Sequence, residues 1–305
     1  MAPEPVEPNT PPNRLKQGSL GTNMGLALIV RESTDHDQMS SIHHAIQSLC
    51  PETDLSDPNT FVTLPFPSPL RTPAERFAIH PHPQGELVIR FQYMGRSLFQ
   101  DLLTAVADPR SLDGTSTLYL CGPSGTGKSH LLAALVCHLI REGERVVFIP
   151  DCRALLTNLL TVIQKALLFA FHDNPYLCDE INRADEIDDL VRIVEQQAPY
   201  TLYIIVDQRN ALDPNGSADQ QALDKSAAFR TINRLRTFQR YIFSASANEQ
   251  ADREHRDKQT GIKDLECRTG LNEVCRPLFN YPVSCSPGGG SMLVLSPRRL
   301  TTRTF

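Results

Sequence analysis

Residues 117–143 read "TLYLCGPSGTGKSHLLAALVCHLIREG", and the pattern changes three times within them. "TLYLC" (117–121) is a short apolar run of the kind that forms a buried strand. "GPSGTGKS", Gly122 to Ser129, satisfies G-x-x-x-x-G-K-[ST] at every specified position. From Ser129 to about Arg141 the apolar residues recur at helical spacing, and Gly143 stands where a glycine just past the last turn stops a helix. Strand, glycine-rich loop and helix in succession are the context a phosphate-binding loop requires. Its glycines let the backbone wrap closely, so that successive amide N–H groups and the helix amino end converge on phosphate oxygens. Gly122, Pro123, Ser124, Gly125, Thr126, Gly127, Lys128 and Ser129, with the adjoining His130, are therefore the expected nucleotide contacts. Lys128 places a cation on the β and γ phosphates, and Ser129 offers a hydroxyl to Mg2+.

On either side of this segment, strand and helix patterns alternate. Upstream, "ELVIRF" (86–91) reads as a strand, and "SLFQDLLTAVAD" (97–108) sets Leu98, Leu102, Leu103 and Val106 on one helical face. Downstream come the strand "RVVFIP" (145–150), a long apolar-striped helix over "RALLTNLLTVIQKALLFAF" (153–171) and a further helix over "EIDDLVRIVEQQ" (186–197). The strand "TLYIIV" (201–206), the helix "ADQQALDKSAAFRTINRLRTFQ" (218–239) and the strand "YIFSAS" (241–246) complete the series. Alternation of this kind predicts a parallel sheet covered on both faces, a three-layer α/β sandwich. The domain is expected to span residues 86–275. Residues 1–20, with prolines at 3, 5, 8, 11 and 12, read as a disordered arm, and 21–85 as an irregular extension. In the extension, His43, His44, His80 and His82 have no carboxylate or cysteine at ligand spacing and are expected in surface or loop positions. Residues 276–305, with Pro277, Pro282, Pro287 and "SPGGGS", read as a disordered or aberrant tail where a helical lid would be expected.

Two strand ends add chemistry to the loop. Asp207 closes "TLYIIV", where a carboxylate can orient the hydration shell of Mg2+, and Gln208 follows it. Many ATP-hydrolysing enzymes carry a water-activating glutamate at that second position. An amide cannot accept the proton but can orient water. Asn248 lies just beyond "YIFSAS", placed to contact the γ-phosphate or the attacking water; a strand between the loop strand and the Asp207 strand favours the ATPase branch over small-molecule kinases. No N-K-x-D element for reading guanine follows the loop. Asp151 also closes a strand, but in a 5-1-4-3-2 order it would lie several spacings of about 4.8 Å from the loop strand, too far to act. Arg253, Arg256 or a residue of another chain could stabilise the transition state.

The 305 residues carry a net charge of -5 with a pI near 6.0, without the basic excess that nucleic-acid binding would call for. The eight cysteines (50, 121, 137, 152, 178, 267, 275 and 285) form no C-x-x-C pair, so redox motifs and zinc ribbons are not indicated. The amino terminus lacks the basic and apolar segments of a cleavable signal, and no apolar run is long enough to span a membrane. A soluble intracellular protein is the expected class. An unidentified protein partner and an oligomeric assembly are both compatible with this reading.

Four segments together, "LYLCGPSGTGKSH" (118–130), "ERVVFIPDCRALL" (144–156), "LYIIVDQRNALD" (202–213) and "YIFSASANEQADRE" (241–254), resemble the P-loop ATPase module of Crinkler-type effector and retrotransposon-hot-spot proteins. The resemblance covers about residues 86–275. It implies an AAA-like architecture using ATP and Mg2+, in which Asp207 followed by Gln208 matches the group's own strand ending, and it implies a nuclease-like domain in many members. No ubiquitin-like header is legible in residues 1–85 and no nuclease domain follows, so the module reads as truncated at its carboxyl end and effector delivery is not expected. The expected function is Mg-ATP binding with slow hydrolysis, in which Lys128, Gln208 and Asn248 act on the phosphates and water while Ser129 and Asp207 hold the metal. The alternative is a nucleotide-binding interaction module with negligible hydrolysis. A small-molecule kinase would need a basic lid, which the arginines 230, 234, 236 and 240 only hint at.

Overall fold

The structure is a computed structural model, and it describes residues 36–70, 77, 88–107, 117–197, 201–213, 220–237, 239–245 and 262–266. All of these fall within the first of two compact units, Met1–Arg268 and Thr269–Phe305. The expected arm at 1–20, the tail at 276–305, His80, His82, Asn248, Arg253 and Arg256 lie outside the described residues.

The strands are β1 (Phe61–Pro65), β2 (Arg90–Met94), β3 (Thr117–Cys121), β4 (Arg145–Ile149), β5 (Leu202–Val206), β6 (Arg240–Ser244) and β7 (Ile262–Glu266). The helices are α1 (36–47), α2 (Ser97–Ala107), α3 (Lys128–Arg141), α4 (Arg153–Thr157), α5 (Leu159–Ala170), α6 (Pro175–Arg183), α7 (Ile187–Glu195) and α8 (Gln220–Leu235). Five strands form one parallel sheet in the order β4-β5-β6-β3-β7. The strand that precedes the glycine-rich loop is thus separated from the strand that ends on Asp207 by β6, as the sequence leads one to expect for the ATPase branch. Asp151, at the far edge beyond β4, is three strands from β3 and forms an ion pair with Arg153 at 2.8 Å.

The pleat sorts strand side chains into two cores. Leu118, Leu120, Val146, Phe148, Tyr203, Ile205 and Ile242 join one core with α1, α2, α3, β1 and β2. Their neighbours Tyr119, Val147, Ile149, Ile204, Val206, Tyr241 and Phe243 join the other with α4–α8. Period-two alternation with helices on both sides is what makes every residue of β5 buried. The helix that leaves β3 packs on one face and those that link β4 to β5 and β5 to β6 pack on the other. Uniformly right-handed crossovers require this when the chain reverses its direction of travel along the sheet.

Local chemistry explains the element ends. At the end of α3, Gly143 takes φ 84°, Glu144 N–H donates to Leu139 O at 2.9 Å and Gly143 N–H to Ile140 O at 3.0 Å, so the paired bonds of a left-handed C-cap stop the helix at the glycine. The run 153–171, expected as one helix, is two. Asn158 adopts φ −156°, leaves the helix and accepts from Thr161 N–H at 3.1 Å as the cap of α5. Asn174 caps α6 in the same way, with Pro175 in the first turn.

Upstream of the loop the structure is more regular than the sequence pattern suggests. The strand expected over 86–91 runs from Arg90 to Met94 and pairs antiparallel with β1, outside the main sheet. His43 does not lie at the surface. It is 7% exposed on α1, its Nε2 is 2.9 Å from Phe169 O, and its ring stacks on His172 at 3.5 Å. On the other side of β3, β7 occupies a position that the sequence reading left without a strand.

Candidate nucleotide-binding site

The carboxyl ends of three adjacent strands, β3, β6 and β5, open into one cavity of about 310 Å³. Ser124, Gly125, Gly127, Lys128, Ser129 and His130 line it from the loop and α3, Asp207 and Gln208 from the end of β5, and Ser244 and Ala245 from the end of β6. The crevice beyond the carboxyl ends of parallel strands is where such sheets gather ligands. The structure therefore brings the loop, Asp207 and Gln208 together.

Gly122, Gly125 and Gly127 have φ 140°, 80° and 78°, and α3 starts directly after Gly127. At Gly127 the left-handed φ selects glycine, and an added Cβ would displace the Arg96 guanidinium, whose Cζ lies 2.7 Å from that position. Lys128 is 8% exposed; its ammonium donates to Gly122 O and Pro123 O, each at 2.7 Å, and to Thr126 Oγ1 at 3.4 Å. Thr126 Oγ1 donates in turn to Pro123 O at 2.9 Å, which ties the loop into a closed curve. Gly122, Pro123 and Thr126 thus support the loop from behind the cavity wall.

Asp207 is 2% exposed. Its Oδ1 accepts from the Ser244 hydroxyl and from Gln208 N–H at 2.9 Å, so two donors fix the carboxylate. Gln208 is the single non-glycine residue with positive φ, 57°, among those described. That conformation turns the chain sharply out of β5 into a short 3-10 turn, Arg209–Leu212. Arg209 stacks between the rings of Phe229 and Phe243 at 4.7 and 4.9 Å. Ser244, which the sequence reading passed over in favour of Asn248, is 1% exposed and opposes Leu120 of the loop strand. A serine ending an apolar strand is its only sequence signal.

His130 faces the cavity from α3, and its ring packs at 4.6 Å from Phe77. Burial, reinforced by the Arg96 charge, lowers its pKa to about 4. Burial also lowers His43 to about 4, with His172 adding to the effect. Both titrate near 6.5 in an unfolded chain. Between 6.5 and 4 the unfolded chain binds protons that the folded chain refuses. Stability is therefore complete above 6.5 and falls as the pH is lowered, by about 1.4 kcal/mol per pH unit for each histidine. The urea midpoint at pH 4.5 is expected well below that at pH 7.5, with a smaller drop in His43→Gln. Equal midpoints would contradict buried, neutral imidazoles.

The arginines of a kinase-like lid are otherwise engaged. Arg234 pairs with Asp188 of α7, Arg240 donates to Tyr203 Oη, and Arg236 lies 5.8 Å from the centre of the Tyr241 ring. Among the described residues no helix is long and apolar enough to cross a membrane.

No family model matches the chain, and no curated protein does. Solved structures with partial likeness include PCH-2 of C. elegans, at 16% identity over 56% of this chain and 42% of that one, with a TM-score of 0.31. A DNA replication initiation factor is 16% identical over 55% of this chain and 43% of its own, with a TM-score of 0.29. The TcpA conjugation coupling protein of pCW3, in a monomer form with ATPγS, is 12% identical over 56% and 60%, with a TM-score of 0.21. The chain spans less than half the length of the first two. The assignment of a P-loop α/β fold rests on the strand order and the loop geometry described above.

Proposed function

We propose that this chain binds Mg-ATP and hydrolyses it slowly, as an AAA-like ATPase module whose nucleotide state sets its conformation. The observation that carries this reading is the single cavity in which the glycine-rich loop, Asp207, Gln208 and Ser244 meet. The loop amides and the amino end of α3 would hold the phosphates, with Lys128 transferring its ammonium from its own loop carbonyls to phosphate oxygens. The Ser129 hydroxyl and the buried Asp207 carboxylate form a hard, all-oxygen donor set suited to an Mg2+ ion that keeps several of its waters. Mg2+ bound there would neutralise phosphate charge. Ser244 and Gln208 N–H keep the carboxylate aimed, and the Gln208 side chain would orient the attacking water. Asn248 as a γ-phosphate sensor and the resemblance to Crinkler-type and retrotransposon-hot-spot modules belong to the same reading.

The second reading, a nucleotide-gated interaction module with negligible turnover, is favoured by one feature: the residue after Asp207 is an amide that cannot accept a proton. Calorimetry with Mg-ATP and timed phosphate release on the purified chain separate the two. Saturable binding with release above an enzyme-free blank is expected. Binding without release would favour the gated module, and no binding at millimolar nucleotide would remove both.

A further inference from the structure

The Arg96 guanidinium lies against the outside of the glycine-rich loop, 30 residues upstream in sequence and outside the loop motif. Its Nη1 donates to Thr126 O, and the guanidinium approaches Gly127 so closely that a Cβ added there would push it aside. The residue itself is fixed. Arg96 N–H donates to Leu55 O at 3.1 Å, Phe99 N–H at the start of α2 donates to Arg96 O at 2.8 Å, and Gly95 N–H donates to Thr60 O at 2.8 Å. Gly95 is pressed so flat that a Cβ would lie 2.8 Å from the carbonyl carbon of Asp57. The 55–60 turn, the 95–96 corner and the loop thus form one continuous stack of contacts. Arg96 does not line the cavity.

We infer that Arg96 is a positioning residue for phosphate binding, acting through the Thr126–Gly127 peptide rather than on the ligand. This rests on the nucleotide-binding reading given above. The carbonyl that accepts from the guanidinium and the N–H of Gly127 belong to the same peptide group. A charge-assisted bond on the oxygen polarises that group and makes its N–H a stronger donor. In a loop of this type that N–H faces the phosphates. The stacked guanidinium also holds Gly127 at φ 78°, the conformation from which α3 starts, so the donors are in place before ligand arrives. Glycine at 127 suits both its φ and the close approach of the cation on its outer face.

The test compares wild type with Arg96→Ala and Arg96→Lys in two measurements: Mg-ATP affinity with turnover, and amide exchange of the loop without nucleotide. In Arg96→Ala the Kd for Mg-ATP is expected to rise about tenfold, the scale of one charge-assisted bond, with kcat unchanged at saturation. Exchange at 124–128 should quicken while the interior of α3, residues 131–137, keeps its protection. Arg96→Lys keeps the charge but not the planar fork and should fall between the two. Should Arg96→Ala fail to fold, Arg96→Met, which keeps the apolar stem, takes its place. An unchanged Kd and unchanged loop exchange in the folded variant would overturn the inference. If wild type binds no Mg-ATP, the nucleotide reading itself fails and the phosphate part of the inference with it; the exchange arm then still decides the structural part, with faster loop exchange upholding Arg96 as the brace of the loop and unaltered exchange rejecting it.

Discussion

Lys128→Ala is expected to lower Mg-ATP affinity at least about 100-fold and to leave a folded protein. The loss follows from the removal of a cation whose bonds to phosphate are charge-assisted, each worth about 1.5–3 kcal/mol. The ammonium rests at the loop itself, bonded to Gly122 O and Pro123 O at 2.7 Å, bonds that phosphate oxygens would replace. The fold survives because the nine other buried residues of α3 keep their apolar packing. Calorimetric titration, with circular dichroism as the control for folding, checks both halves. Unchanged affinity would remove the phosphate-loop assignment.

Gln208→Glu is expected to raise turnover by up to about 100-fold, and Gln208→Gly to lower it while leaving the Mg-ATP Kd near that of wild type. The glutamate supplies a proton acceptor on a backbone already turned toward the site by φ 57° and held by the Gln208 N–H bonds to Asp207 Oδ1 and Ser244 Oγ, 2.9 and 3.3 Å. Glycine adopts the same φ without strain, so it isolates the amide side chain from the turn that carries it. Single-turnover phosphate release measures both variants. If Gln208→Glu gains nothing and Gln208→Gly loses nothing, water is handled by another group of the site.

The parts legible in the sequence are those that short-range rules govern. The shift from an apolar run to spaced glycines to helical periodicity located β3, the loop and α3, and Gly143 marked the helix end. A carboxylate ending an apolar run located Asp207, since strand ends in parallel sheets meet the ligand. What escaped depends on neighbours distant in sequence. Ser244 matters because β6 sits beside β5 and sets its hydroxyl on Asp207; Arg96 matters because a corner upstream is folded against Thr126 and Gly127. His43 looked like a surface residue until Phe169 and His172 closed over it. The single helix expected over 153–171 failed for another reason. Apolar spacing continued across Asn158, and the capping tendency of one asparagine outweighed it. The Asn174–Pro175 pair carried a helix-start signature that was missed.

The inward-turned lysine has a consequence for which anions the site can admit. Its ammonium already donates to two carbonyls, so an anion that engages it would have to replace those bonds. A lone phosphate or sulfate would engage the lysine and the amides without the divalent ion that links to Ser129 and Asp207, and so would gain less from the exchange. A polyphosphate chain accompanied by a divalent ion would meet the lysine, the amides, Ser129 and Asp207 together. Abundant small anions would then be weak competitors at this site, held off by the exchange they require of Lys128 and not by the width of the opening.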